Sequence, residues 1–269
     1  MLTDAHCHPS DLYTFFNDFE EERIRLGVTA AASACMESEY IQYEELSRNT
    51  KNNNAPPLLV CLGIHPQIFK MINDKETIRI DYNKLLETLE QLASEKRIAA
   101  VGECGFDLFN NVFKETEALQ DRFFSPQIDI AIRYELPVVL HVRRAMNKIF
   151  AVSSLLAKCK AVVFHSWPGT FEEAQALLRK GVNAYFSFGN TIMLNHKQAI
   201  RSCALLPSDR LLTETDAPYQ PRRGQAFSQW SDLPLILEAA ATLRNEARNK
   251  ISVNDLENQI ESNFRKVFL

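Results

Sequence analysis

Six residues of this chain have the types and positions of a divalent-cation centre: His6, His8, Glu103, His141, His165 and Asp216. His6 and His8 stand two apart, and the period of two in an extended strand points both imidazoles to the same side. Four imidazoles and two carboxylates exceed what one catalytic zinc needs, because such sites use about three protein ligands and leave a position for water. Two ions are therefore expected, with His6, His8 and Asp216 on one, His141 and His165 on the other, and Glu103 bridging them at a separation of roughly 3.5–4 Å. Nitrogen and oxygen donors without thiolate suit Zn²⁺, Mn²⁺ or, with waters completing the shell, Mg²⁺. The chemistry of such a pair is hydrolysis: water is brought toward a pKa of about 7, and Asp216 is expected to hold or accept its proton.

These residues run from position 6 to position 216, so only a fold can gather them. Short apolar or β-branched runs alternate with stretches of helical period, the pattern of a parallel sheet with crossover helices. Eight strands are predicted: Met1–His6, Val28–Cys35, Pro57–Ile64, Ile98–Glu103, Pro137–Val142, Ala161–His165, Val182–Phe188 and Leu211–Asp216. Between them lie helices such as Asp81–Ala93, carrying Leu85, Leu89 and Leu92 at helical spacing, and Thr116–Tyr134, carrying Phe123, Ile128 and Ile132. Runs such as Leu58-Leu59-Val60-Cys61-Leu62 are nearly continuous, as strands covered on both faces require. This predicts a (β/α)8 barrel forming one domain over residues 1–269, with Trp230–Leu269 as two closing helices; an open doubly wound sheet is the runner-up. Barrel chemistry gathers at the C-terminal ends of strands, and the six residues fall at the ends of five predicted strands. Packing alone has no reason to put them there. Cys7 and Cys104 neighbour ligands, but alternation turns them away.

At 269 residues, 46% hydrophobic and 24% charged, the chain can bury a substantial core, which excludes disordered, collagenous and disulfide-scaffold classes. Lys plus Arg number 30 against 34 Asp plus Glu, a net charge of −4, so no global basic field serves a polyanion and any such substrate needs a local basic or metal site. Six scattered cysteines without a C-x-x-C pair read as reduced, mostly buried thiols. The N-terminus lacks a signal-peptide pattern and no run approaches the roughly 20 apolar residues of a membrane span, so a cytoplasmic protein without membrane contact is expected. A closed barrel has no free sheet edge, so a monomer without an obligate protein partner is expected too.

In order along the chain, Asp4-Ala5-His6-Cys7-His8, Gly63-Ile64-His65-Pro66, Gly102-Glu103-Cys104-Gly105-Phe106-Asp107, Leu140-His141-Val142-Arg143, Phe164-His165-Ser166, Ser187-Phe188-Gly189 and Glu214-Thr215-Asp216-Ala217-Pro218-Tyr219 form a specific set covering essentially the whole sequence. The chain thereby resembles the TatD-type deoxyribonuclease family of metal-dependent hydrolases, within the amidohydrolase-like barrels. The resemblance implies a (β/α)8 barrel, a divalent-metal centre on the six ligands already named, and hydrolysis of DNA phosphodiester bonds, often from an end. The chain departs from the family's usual pattern at Arg144, where an acidic residue is common, and at Ser166-Trp167-Pro168-Gly169.

Around the ligands, three residues are candidates for substrate contact. Arg143 follows His141 by the same-side spacing of two and would hold phosphate oxygens, its bland role being an ion pair with Glu103 or Asp107. His65, ending the third predicted strand, would donate to a substrate oxygen or orient a ligand. Trp167 would stack on a base or pack its own loop. Two other functions fit less of the pattern: a metal-dependent ester or amide hydrolase, such as a D-aminoacyl-tRNA deacylase, and a non-catalytic barrel serving as an interaction or RNA-binding module.

Overall fold

A computed structural model describes residues 1–71 and 80–269. Among these, eight parallel strands are hydrogen-bonded in chain order: β1 (Thr3–Cys7), β2 (Thr29–Ala34), β3 (Leu58–Leu62), β4 (Ala100–Asp107), β5 (Val138–Arg143), β6 (Val162–Phe164), β7 (Ala184–Phe188) and β8 (Leu211–Thr213). The ring is drawn shut where β8 meets β1: Thr213 Oγ1 donates to the Thr3 carbonyl at 3.0 Å and the Asp216 N–H to the His6 carbonyl at 3.0 Å. The barrel is the one expected, and all eight predicted strands are present.

The interior takes one residue from each strand, Ala5, Ala31, Cys61, Ala100, Val139, Val163, Tyr185 and Leu212, all but Tyr185 small or medium. A helix over Val253–Phe268 brings Phe264, Val267 and Phe268 against this same cluster and plugs one end of the barrel. The larger cluster lies outside the strands, under the helices, and contains Cys7 and Cys104, which do turn away from the site. The closing helices span Leu233–Glu246 and Val253–Phe268, and the helix expected from Asp81 begins at Tyr82, with the Asp81 carboxylate accepting from the Asn83 and Lys84 N–H groups.

Two strands depart from regular alternation. The β1 register steps from Asp4↔Ala30 to Cys7↔Ala32, and the β4 register from Val101↔Val138 to Cys104↔Leu140, so each has one extra residue. Such a bulge re-aims side chains. Here it lets Ala5 and His6, and likewise Ala100 and Glu103, all face inward although their spacings alone forbid it. β4 also continues past the predicted end at Glu103 to Asp107. Gly105 permits close approach of β5: at φ +141° an added Cβ would stand 2.0 Å from the His141 carbonyl oxygen. β8 ends early, at Thr213, because Thr215 gives its N–H and hydroxyl to the buried Asp4 carboxylate at 3.0 and 2.6 Å, while Asp216 adopts a left-handed φ of 53°.

Candidate metal centre

Continuing the interior positions toward the C-terminal ends of the strands produces the site. Cys61, Val139 and Val163 face inward, and steps of two lead from them to His65, His141 and His165. The two bulges add His6 and Glu103, and the turn after β8 adds Asp216.

Glu103 stands at the middle, only 3% exposed. Its Oε2 lies 3.1 Å from His6 Nε2 and 3.6 Å from His8 Nε2; its Oε1 lies 2.7 Å from His141 Nδ1, 3.0 Å from His165 Nε2 and 3.2 Å from His65 Nε2. Asp216 Oδ1 faces the first pair, 3.6 Å from His6 Nε2 and 3.5 Å from His8 Nε2. Its Oδ2 accepts from Gln220 Nε2 at 2.5 Å, which fixes the carboxylate plane. Thus all six expected ligands converge, and three overlapping sets, His6/His8/Asp216, His6/Glu103/His165 and His65/Glu103/His141, bring donor atoms within 4.8 Å of one another.

The donor set fits a divalent cation on a further ground. His6 Nε2 is fully buried and makes no hydrogen bond among the described residues, although Glu103 Oε2 is 3.1 Å away. A buried nitrogen left without a hydrogen bond beside a carboxylate oxygen is what two ligands of one cation would show. The other His6 nitrogen lies 3.1 Å from Ser33 Oγ, which anchors the ring. Burial alone would raise the carboxyl of Glu103, but the surrounding imidazoles of His65, His165, His6 and His141 hold it well below the ordinary range. Burial would likewise raise Asp216, and His8, His165 and His6 outweigh it. In His8 burial lowers the imidazole, and Asp216 with Glu103 reverses this to about 9.

His65 differs from the other imidazoles. Its Nδ1 accepts the Gln67 backbone N–H at 3.1 Å, which places the ring proton on Nε2, the atom facing Glu103. A nitrogen carrying a proton is a donor and not a ligand. Of the other expected contacts, Arg143 lies on the wall of the site with its guanidinium 3.6 Å from the Phe109 ring centroid, and among the described residues it forms none of the ion pairs weighed for it. Of the two roles weighed for Trp167, its placement matches loop packing. Its indole borders the cavity but is 2% exposed, packs edge-on to Phe164 and Phe186 and donates to Ser202 Oγ at 3.3 Å.

Sequence reasoning passed over three supporting groups. Asp107 Oδ2 lies 3.2 Å from His141 Nε2 and also accepts from Gln67 Nε2 at 2.7 Å. Glu214, fully buried, has Oε1 3.5 Å from His165 Nδ1 and accepts the Ser166 N–H at 2.7 Å. Gln220 holds Asp216 as described. The signal for Asp107 was present, since positions 103, 105 and 107 share one side of β4. The whole constellation opens into a cavity of about 1190 Å³ at the C-terminal ends of the strands.

Comparison with known proteins agrees with this geometry. The profile of the TatD related DNase family matches residues 3–269. The 3'-5' ssDNA/RNA exonuclease TatD of Pantoea ananatis is 35% identical over 189 residues, covering 67% of this chain and 70% of the relative. An uncharacterised metal-dependent hydrolase of Mycoplasma genitalium is 30% identical over 224 residues, 79% of either chain. The crystal structure of a TatD homologue from Escherichia coli superposes with a TM-score of 0.82 at 25% identity, covering 99% of this chain and 97% of that one.

Proposed function

The chain belongs to the TatD related DNase family and is a metal-dependent hydrolase; from that premise we propose that it removes nucleotides from the 3' end of single-stranded DNA or RNA, using two divalent cations. The observation that carries the two-ion reading is Glu103, whose Oε2 addresses His6 and His8 while Oε1 addresses His141 and His165. One carboxylate thus divides the imidazoles into two sets, with Asp216 completing the first. His6, His8, Asp216 and Glu103 would hold one ion, and Glu103, His141 and His165 the other, of Zn²⁺, Mn²⁺ or Mg²⁺ type. When bound, such a pair supplies Lewis acidity, lowering the pKa of water and neutralising charge on phosphoryl oxygens.

The chain's own groups do the rest. Asp216, kept ionised by its imidazole neighbours, accepts the proton of the attacking water. Arg143, unpaired with any described carboxylate, holds non-bridging phosphate oxygens and provides locally the positive charge that a net −4 chain lacks overall. His65 donates its Nε2 proton to a phosphoryl or leaving oxygen, the role its tautomer permits. Relatives named as 3'-5' single-strand exonucleases support the polarity and substrate. Six cysteines without a disulfide fit a reducing compartment, and we assign the protein to the cytoplasm, as a monomer, on that account and on its closed barrel. Among the described residues no helix is long and apolar enough to cross a membrane.

The test is product analysis of metal-replete protein on 3'- or 5'-labelled single-stranded DNA and RNA, with His141→Ala as the control for contaminating nucleases. Mononucleotides released from the 3' end, and lost in the control, are expected. Amino-acid release from a D-aminoacylated tRNA without strand cutting would move the substrate to an aminoacyl ester, and inactivity on every substrate would end the hydrolytic assignment.

A further inference from the structure

The cavity has two unlike walls. One, after β5 and β7, carries Arg143, His196 and Lys197; the other, after β8, β1 and β2, carries Tyr219, Asp11 and Glu39. Because the strands are ordered in sequence around a ring of eight, Arg143 after β5 stands across from Asp11 after β1, while Lys197 after β7 is one strand away from Tyr219 after β8. A phosphate backbone is attracted to the first wall and repelled by the carboxylates of the second. Phosphates in the cavity are therefore favoured beside Arg143 and disfavoured beside Asp11, the carboxylate that the Tyr219 hydroxyl bonds, which leaves the Tyr219 ring to meet a base.

Tyr219 is equipped to receive one. Its side chain is 46% exposed, on a chain that elsewhere hides most of its aromatics. The exposed aromatics among the described residues, Tyr13, Phe15, Phe109 and Tyr219, all lie in segments that follow β1, β4 or β8, on the barrel face that bears the site. Of these four, Tyr219 alone lines the cavity. Its position is fixed at three points: the hydroxyl donates to Asp11 Oδ2 at 2.7 Å, the backbone N–H donates to the Asp216 carbonyl at 2.6 Å, and the ring stands edge-on to His8 with centroids 5.4 Å apart. An exposed aromatic held rigid beside a reacting centre costs little further ordering when a partner stacks on it.

We propose that Tyr219 is the platform on which the terminal, unpaired base of the substrate stacks. The inference rests on the exonuclease reading above. A terminal base in a duplex is held back by pairing along its edge and by its partner strand, so the platform favours single-stranded or frayed ends.

The experiment compares Michaelis constants of wild type, Tyr219→Leu and Tyr219→Phe on single strands that end in an ordinary nucleotide or in an abasic one. Leucine fills the space without an aromatic face, and phenylalanine keeps the face without the hydroxyl. Wild type is expected to favour the base-bearing end by about tenfold, Tyr219→Leu to lose that preference, and Tyr219→Phe to keep most of it. A preference unchanged in Tyr219→Leu, or a KM raised equally for both ends, overturns the proposal. Binding is read separately by quenching of a terminal 2-aminopurine in a His141→Ala background, which removes hydrolysis. If wild type digests neither strand, the exonuclease reading fails by itself, and the quenching still decides the platform. Quenching that is lost on adding Tyr219→Leu to that background upholds it, and quenching of equal strength with and without the substitution removes it.

Discussion

Asp107 Oδ2 lies 3.2 Å from Nε2 of His141, on the opposite side of the ring from Glu103, whose Oε1 is 2.7 Å from Nδ1. A carboxylate behind a ligating imidazole fixes its tautomer and orientation and raises its basicity. Asp107→Asn keeps the size of the group and an oxygen for the Phe109 N–H, which Oδ1 now accepts at 2.8 Å, but removes the charge. Its expected effect is a loss of about tenfold or more in divalent-cation affinity with the fold retained. Calorimetric titration of Zn²⁺ or Mn²⁺ beside far-ultraviolet circular dichroism measures both; an unchanged affinity removes Asp107 from this role.

The convergence of the six candidate ligands was legible in the sequence because a barrel places inward-facing residues at strand ends, and His141 and His165 keep the simple period of two from Val139 and Val163. What periodicity hides is any extra residue in a strand. His6 and Glu103 reach the site through bulges, so counting inward from Ala5 or Ala100 sends each to the wrong face, although the residue types alone marked them. β4 also runs four residues past its predicted end, through Gly105, whose lack of a side chain serves close strand contact. The side of Asp107 could be read from its spacing to Glu103, but the roles of Asp107 and Glu214 could not. Their work depends on which side of an imidazole they face, and that is a matter of three-dimensional placement.

Trp167 shows the same limit from the other direction. Its loop position between His165 and Pro168 suits an exposed stacking residue, yet the ring is buried against Phe164 and Phe186. Trp167→Ala should destabilise the protein by about 3–5 kcal/mol, the usual cost of deleting a large buried aromatic. Denaturant unfolding reads that loss. A near-normal midpoint accompanied by a raised KM for single strands would restore the base-stacking role.

Arg143 makes the complementary case. Its guanidinium stacks on Phe109 at 3.6 Å, while Glu103 and Asp107 are engaged by imidazoles, so its charge stays available to substrate. Arg143→Ala should raise KM and reduce the slope of log affinity against log salt by about one phosphate contact. Michaelis constants across a salt series test this, and an unaltered slope would mean that the arginine touches no phosphate.

The last expectation concerns protons and cations competing for one imidazole. Without a cation, burial lowers His8, but Asp216 and Glu103 lift it to about 9 from an ordinary value of 6.5. The sign follows from linkage: a histidine whose folded value is raised stabilises the metal-free fold fully below 6.5, and that contribution is lost as pH climbs through about 9. A cation needs the neutral ring, so binding must expel this proton throughout the same window. Apparent affinity should therefore rise by up to about tenfold per pH unit for each proton displaced and level off above the raised value. Titrations in buffers of different ionisation enthalpy count the protons released. His8→Gln, which has no proton to expel, should show a shallower dependence, and an identical slope would exclude His8 as the titrating ligand.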